Sequence, residues 1–221
     1  VYKDVEMNAE CETKRLLCSR CRRAEKTCIC RWSVNIVGLV ETVILQHPLE
    51  LKQVKGSAGL LHLSLSNSHL HVGELFDEDA LNKILHAEGK IPVLLYPAFN
   101  ESERNILNAP PVFAGEILAA PENCRLIVLD GTWRKSRKML YLNRSLQTLP
   151  RLSLSNMPAS HYQIRKAHKA DQLSTMEASC YALMQLENNA EKYAPLLDAF
   201  DGFISQQIAL RDKHKADHTR F

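Results

Sequence analysis

The sequence lacks any apolar run of about eighteen or more residues, the length a helical membrane crossing needs, so no bilayer partner is expected. It also lacks the apolar core of a secretion signal: residues 1–30 are polar and cysteine-bearing, and cytoplasm is the expected compartment. There is no internal repeat and no low-complexity tract. A disulfide framework is excluded by distribution, since five of the seven cysteines crowd into positions 11–30. One further absence is local. Between Asp130 and Asp171 there is no acidic residue, yet nine Lys or Arg side chains fall there (134, 135, 137, 138, 144, 151, 165, 166 and 169). Residues 34–129 carry six basic and eleven acidic side chains by comparison. A long acid-free basic stretch reads as a surface that meets a polyanion, with a merely solvated face as the alternative.

From Val34 onward, apolar runs alternate with helical patterns. Strands are expected over 36–46, 69–72, 91–96, 125–129 and 152–154, the longer ones ending at turn-forming or polar residues. Helices are expected over 77–87 and 133–142. Ser174 and Glu177 have the spacing of a capping box that opens a further helix to about 188. A last amphipathic helix carries Leu196, Leu197, Phe200, Phe203, Ile204 and Ile208 on one stripe. Continuous apolar strands interleaved with helices predict an α/β fold, a mostly parallel sheet with helices on both faces. In such sheets ligands sit beyond the carboxyl ends of the strands, where Tyr96-Pro97 and Asp130 fall.

Residues 1–33 differ in character and predict a small N-terminal cysteine-rich module before an α/β domain over 34–221. Cys18, Cys21, Cys28 and Cys30 offer four thiolates in two close pairs, a donor set suited to one tetrahedral zinc ion. An iron–sulfur cluster uses the same number of thiolates. The segment is too short to build an apolar core, so metal would supply its folding energy.

The chemistry-bearing string is Asp130-Gly131-Thr132-Trp133, at the end of an apolar strand and followed by Arg134, Lys135, Arg137 and Lys138. With it stand Leu45-Gln-His-Pro-Leu-Glu50, Leu94-Leu-Tyr-Pro97, Leu149-Pro-Arg-Leu152, Tyr162-Gln-Ile-Arg-Lys166 and Leu173-Ser-Thr-Met-Glu-Ala178. Taken together and in this order, these strings resemble the DTW-domain family over about residues 15–190, cysteine cluster included. The resemblance implies a SPOUT-like knotted α/β fold that binds S-adenosyl-L-methionine near its C-terminal strands and loops. It also implies transfer of that compound's 3-amino-3-carboxypropyl group to N3 of a uridine in tRNA.

Residue roles follow as expectations. Asp130 is the candidate base or aligner at N3–H, with helix capping as its structural alternative. Thr132 and Trp133 complete the catalytic set, Trp133 either stacking on a base or packing in the core. Tyr96, Pro97, Leu129, Asp130, Leu173, Ser174 and Thr175 are the candidate cofactor-binding residues, with Arg165 as the fork for its carboxylate. Arg134, Arg137, Lys138 and Lys166 are the candidate RNA contacts. Two other functions remain open: a methyltransferase using the same cofactor on RNA, and a zinc-knuckle RNA-binding protein without activity.

Overall fold

The computed structural model describes residues 16–104, 107–113, 115–154 and 173–218. The elements in chain order are β1 (Glu41–Gln46), α1 (Ala58–Ser64), β2 (Ser68–Val72), α2 (Glu78–His86), β3 (Ile91–Leu95), and the single turns α3 (Glu101–Arg104) and α4 (Glu116–Ala119). They continue with β4 (Cys124–Asp130), α5 (Trp133–Leu142), α6 (Arg144–Gln147), β5 (Arg151–Leu152), α7 (Thr175–Leu186) and α8 (Ala190–His218). The five strands form one sheet in the order β2-β1-β4-β3-β5, and every pairing is parallel. The α/β fold with helices on both faces is therefore as the sequence implies. A knot is a property of the full chain path, which includes residues 155–172, outside the described set.

Side-chain alternation builds two cores. Ile44, Val93, Leu126 and Val128 face one way and meet α1, α7 and α8; Val43, Leu45, Leu94 and Ile127 face the other way and meet α2, α5 and α6. β1 and β4 are buried along their whole lengths, which is why they read as continuous apolar runs.

Three boundaries differ from expectation, each for a local reason. The strand expected from 36 begins only at Glu41, because the amides of Leu39 and Val40 donate to the Glu187 carboxylate instead of to a neighbouring strand. Gly38 is needed there, since a Cβ would press against the Tyr193 hydroxyl and Glu187. The strand expected at 152–154 is the two-residue Arg151–Leu152. α7 has its capping box but stops at Leu186, two residues before Asn188 turns left-handed (φ 46°) and redirects the chain into α8.

The segment around the cysteines docks on α8. Ile29 joins the first core, and the Trp32 indole donates to Gln206 at 2.5 Å. A Cβ on Gly202 would overlap the Trp32 ring, so only glycine lets this indole lie against the helix.

The topology also locates a crevice. From β1 the chain crosses by α1 to β2 on one side; from its neighbour β4 it crosses by α5 and α6 to β5 on the other. Right-handed crossovers put these two connections on opposite faces, so the chain diverges at the carboxyl ends of β1 and β4. Gln46 and Asp130 are register partners at that point.

Candidate active site and metal centre

Asp130 is buried (5% exposed) at the end of β4. Its carboxylate accepts from Gln46 Nε2 at 2.8 Å and from Thr175 Oγ1 at 2.7 Å. Gln46 comes from β1 and Thr175 from the first turn of α7, so three elements converge on one acid. The ladder continues past the strands, with His47 N donating to the Asp130 carbonyl at 2.9 Å. The positive ends of the α5 and α7 dipoles both lie beside this carboxylate in sequence and contact, which favours its negative charge.

Helix capping, the alternative reading of Asp130, belongs to another residue. The Thr132 hydroxyl is the side chain that accepts from Lys135 N and caps α5. Asp130 is thereby left out of the cap, its carboxylate held instead by Gln46 and Thr175. Trp133 is 50% exposed, so its reading as a core plug fails, although Met139 and Leu140 of the same helix are buried. Its ring meets Tyr96 edge-on, with centroids 6.2 Å apart. Tyr96 lies just past β3, where burial pushes its hydroxyl up to about 12. Leu129 packs into the second core, Pro97 is exposed, and Ser174 is the N-cap of α7 with Leu173 half-buried before it. Arg165 and Lys166 lie outside the described residues.

The basic stretch is not one open surface. Lys135 pairs with buried Glu50 at 2.8 Å, Lys138 with Glu74 at 2.8 Å, and buried Arg151 with buried Glu103 at 2.9 Å. Lys138, and after it His47, hold the Glu74 carboxyl below its ordinary range, so it is ionised at neutral pH and offsets the lysine. Arg134, Arg137 and Arg144 are exposed. Sequence reading missed Gln46, whose only signal was its place in a strand-end string, and the acids that neutralise the stretch.

In the N-terminal segment, the Sγ atoms of Cys18, Cys21, Cys28 and Cys30 all lie within 4.8 Å of one another. Cys18–Cys30 and Cys21–Cys28 are each 3.7 Å apart. A tetrahedron with ~2.3 Å metal–sulfur bonds has edges of ~3.8 Å, so the four thiols fit a single ion. A disulfide would need ~2.05 Å. Backbone N–H groups of Cys21 and Arg20 hold the Cys18 thiol down to about 6. Burial, reinforced by the other thiols, pushes Cys30 up to about 12.

A DTW domain matches residues 15–208, and the chain belongs to the DTW-domain family. It is 28% identical over 212 residues to tRNA-uridine aminocarboxypropyltransferase 2 of Macaca fascicularis, covering 92% of this chain and 67% of that one. It is 29% identical over 200 residues to the enzyme of the same name from Mus musculus, covering 86% and 63%. Against that of Drosophila melanogaster it is 27% identical over 195 residues, covering 85% and 73%. The chain thus spans roughly two thirds of the length of these relatives. No solved structure matches it. No helix among the described residues is long and apolar enough to cross a membrane.

Proposed function

We propose that this chain is a tRNA-uridine aminocarboxypropyltransferase, moving the 3-amino-3-carboxypropyl group of S-adenosyl-L-methionine to N3 of a uridine. The observation that carries it is Asp130, a buried acid at the point where β1 and β4 diverge, held by Gln46 and Thr175 beside a half-exposed Trp133. Family membership and the names of the relatives support the same reading. Cytoplasm is the compartment that goes with it.

Uridine N3 is a poor nucleophile while it carries its proton. The donors from Gln46 and Thr175 orient the Asp130 carboxylate at the strand end. Asp130 takes the N3 proton; N3 forms its bond to the γ-carbon, and the carbon–sulfur pair leaves with 5′-methylthioadenosine. When bound, the sulfonium supplies an already activated leaving group, which leaves alignment as the protein's main task. The exposed face of Trp133 stacks the base. Tyr96, Pro97, Leu129, Leu173, Ser174 and Thr175, with Arg165, surround the cofactor, and Thr132 sets the entry of α5. Cys18, Cys21, Cys28 and Cys30 hold one zinc ion, which closes a structural module over residues 1–33 and takes no part in the transfer. A binding protein without activity has no use for a buried carboxylate in this crevice.

Chromatography of the spent cofactor after incubation with tRNA tests the proposal. 5′-Methylthioadenosine is the expected product; S-adenosylhomocysteine would mean methyl transfer and reject it.

Arg134, Arg137 and Lys138, with Lys166, are the proposed phosphate contacts. Neutralising Arg134, Arg137 and Lys138 together should weaken tRNA binding and flatten its log–log salt slope by roughly 2, rather than 3, units. The smaller figure follows because Glu74 already offsets Lys138. An unchanged slope would make these residues a solvated face.

A further inference from the structure

A second charged group lies behind Tyr96 and has no part in the chemistry above. Arg151 leaves β5 with its side chain 4% exposed and its guanidinium over the rings of Tyr96 (5.1 Å) and Phe99 (5.5 Å). Nη1 is used twice, donating to Glu103 Oε2 at 2.9 Å and to the Pro97 carbonyl at 3.2 Å. Nη2 is buried and has no partner. Glu103 is 7% exposed: Oε2 takes both Arg151 and the Asn100 amide (3.3 Å), while Oε1 makes no hydrogen bond to the described residues and, unlike Nη2, is not sealed from solvent.

Arginine and carboxylate commonly meet by two parallel bonds. Here they share one, and each keeps an atom in reserve. A charged donor buried without a protein acceptor is costly, so this arrangement suits a ligand group better than an ion pair built only to hold the fold.

Position supports the same conclusion. Leu95 pairs with Val128, so Pro97, two residues on, stands level with Asp130, two residues beyond Val128. The hydrogen bond to Pro97 places the guanidinium at that level, and Tyr96 links it to Trp133. The reserve atoms thus sit at the carboxyl edge of the sheet, on the β3–β5 side of the crevice.

We infer that Arg151 and Glu103 bind the α-amino-acid head of S-adenosyl-L-methionine, Nη2 of Arg151 taking its carboxylate and Oε1 of Glu103 its ammonium. The inference rests on the transferase reading. A zwitterion matches a pair that is net neutral, whereas an RNA phosphate would meet Glu103 with like charge. Because Nη2 has no solvent contact, the head group enters by displacing the side chains over it. Fixing both charges on Cα then fixes the γ-carbon two bonds away, which is the atom that must face N3.

Calorimetry with three ligands tests this on the whole chain: S-adenosyl-L-methionine, its decarboxylated analogue, and 5′-methylthioadenosine, which lacks the head group. The unaltered protein should prefer the first over the second by roughly ten- to a hundredfold, the range of one charge-assisted hydrogen bond. Arg151→Gln should bring that ratio near one and leave methylthioadenosine binding as it was. Arg151→Lys, which keeps the cation if the Gln variant fails to fold, should retain part of the preference. Equal affinity of the unaltered protein for both sulfonium ligands would overturn the inference, as would a variant in which all three affinities fall by one factor. If the unaltered protein binds none of the three, the transferase reading itself falls, and this one with it.

Discussion

Asp130→Asn should lower turnover by roughly two to four orders of magnitude while the fold stays intact. The substitution keeps size and shape and removes only the charge. Its surroundings can adapt: the Thr175 hydroxyl both donates and accepts, and the Gln46 amide can turn its carbonyl toward the new NH2 group. α5 does not lose its cap, because that role belongs to Thr132. The stability cost should therefore be small, about 1 kcal/mol, within the range for one exchanged hydrogen bond. Single-turnover rates, melting temperature and circular dichroism measured on the same preparation separate the two effects. A variant with wild-type turnover would remove Asp130 from the chemistry and leave it as a tie between β1, β4 and α7.

How far the molecule was legible in its sequence depended on whether the relevant partner was local. The runs at 91–96 and 125–129 were readable because strands buried on both faces leave no polar residue to break the pattern. The bounds of α5 were readable to the residue, since its Arg/Lys and Met/Leu faces lie within one short window, but its cap was not: Thr132 holds the place that the sequence offered to Asp130. Asp130 stood out as an acid closing such a run. Its partners did not: Gln46 is 84 positions away and Thr175 is 45. The basic stretch misled for the same reason, because Glu50, Glu74 and Glu103 all precede it in the chain and reach it only after folding. Core packing stayed open for Trp133 beside base stacking because it shares a helix with Met139 and Leu140. As the first residue of that helix, it projects past the end of the layer that buries them.

Stripping metal from the cysteine site should unfold the N-terminal module and leave the sheet standing. The module contributes little apolar burial of its own: Ile29 is its one fully buried aliphatic among the described residues, and Trp32 rests partly exposed on α8. Four neighbouring thiolates repel each other without a cation, and a structural zinc site typically supplies about 10–16 kcal/mol of coupled folding and binding energy. Purified protein should carry about one zinc per chain, the stoichiometry of a closed four-thiolate site. Chelation, or Cys21→Ser, should shift the emission of Trp32 as it leaves Gln206 and Gly202, while far-ultraviolet dichroism keeps most of its helical signal. Trp133→Phe removes the only other tryptophan and makes that emission change unambiguous. The effect should also reach the crevice. Arg23, between Cys21 and Cys28, donates to the carbonyls of Val54 (2.6 Å) and Gly56 (2.8 Å), in the connection that leaves β1 beside Asp130. Hydrogen exchange at 51–57 should therefore rise when the metal leaves, and turnover should fall with it. Metal-free protein with verified free thiols, unchanged emission and unchanged exchange would show that the module stands without an ion. Iron with a charge-transfer absorption in place of zinc would assign the site to iron–sulfur chemistry instead.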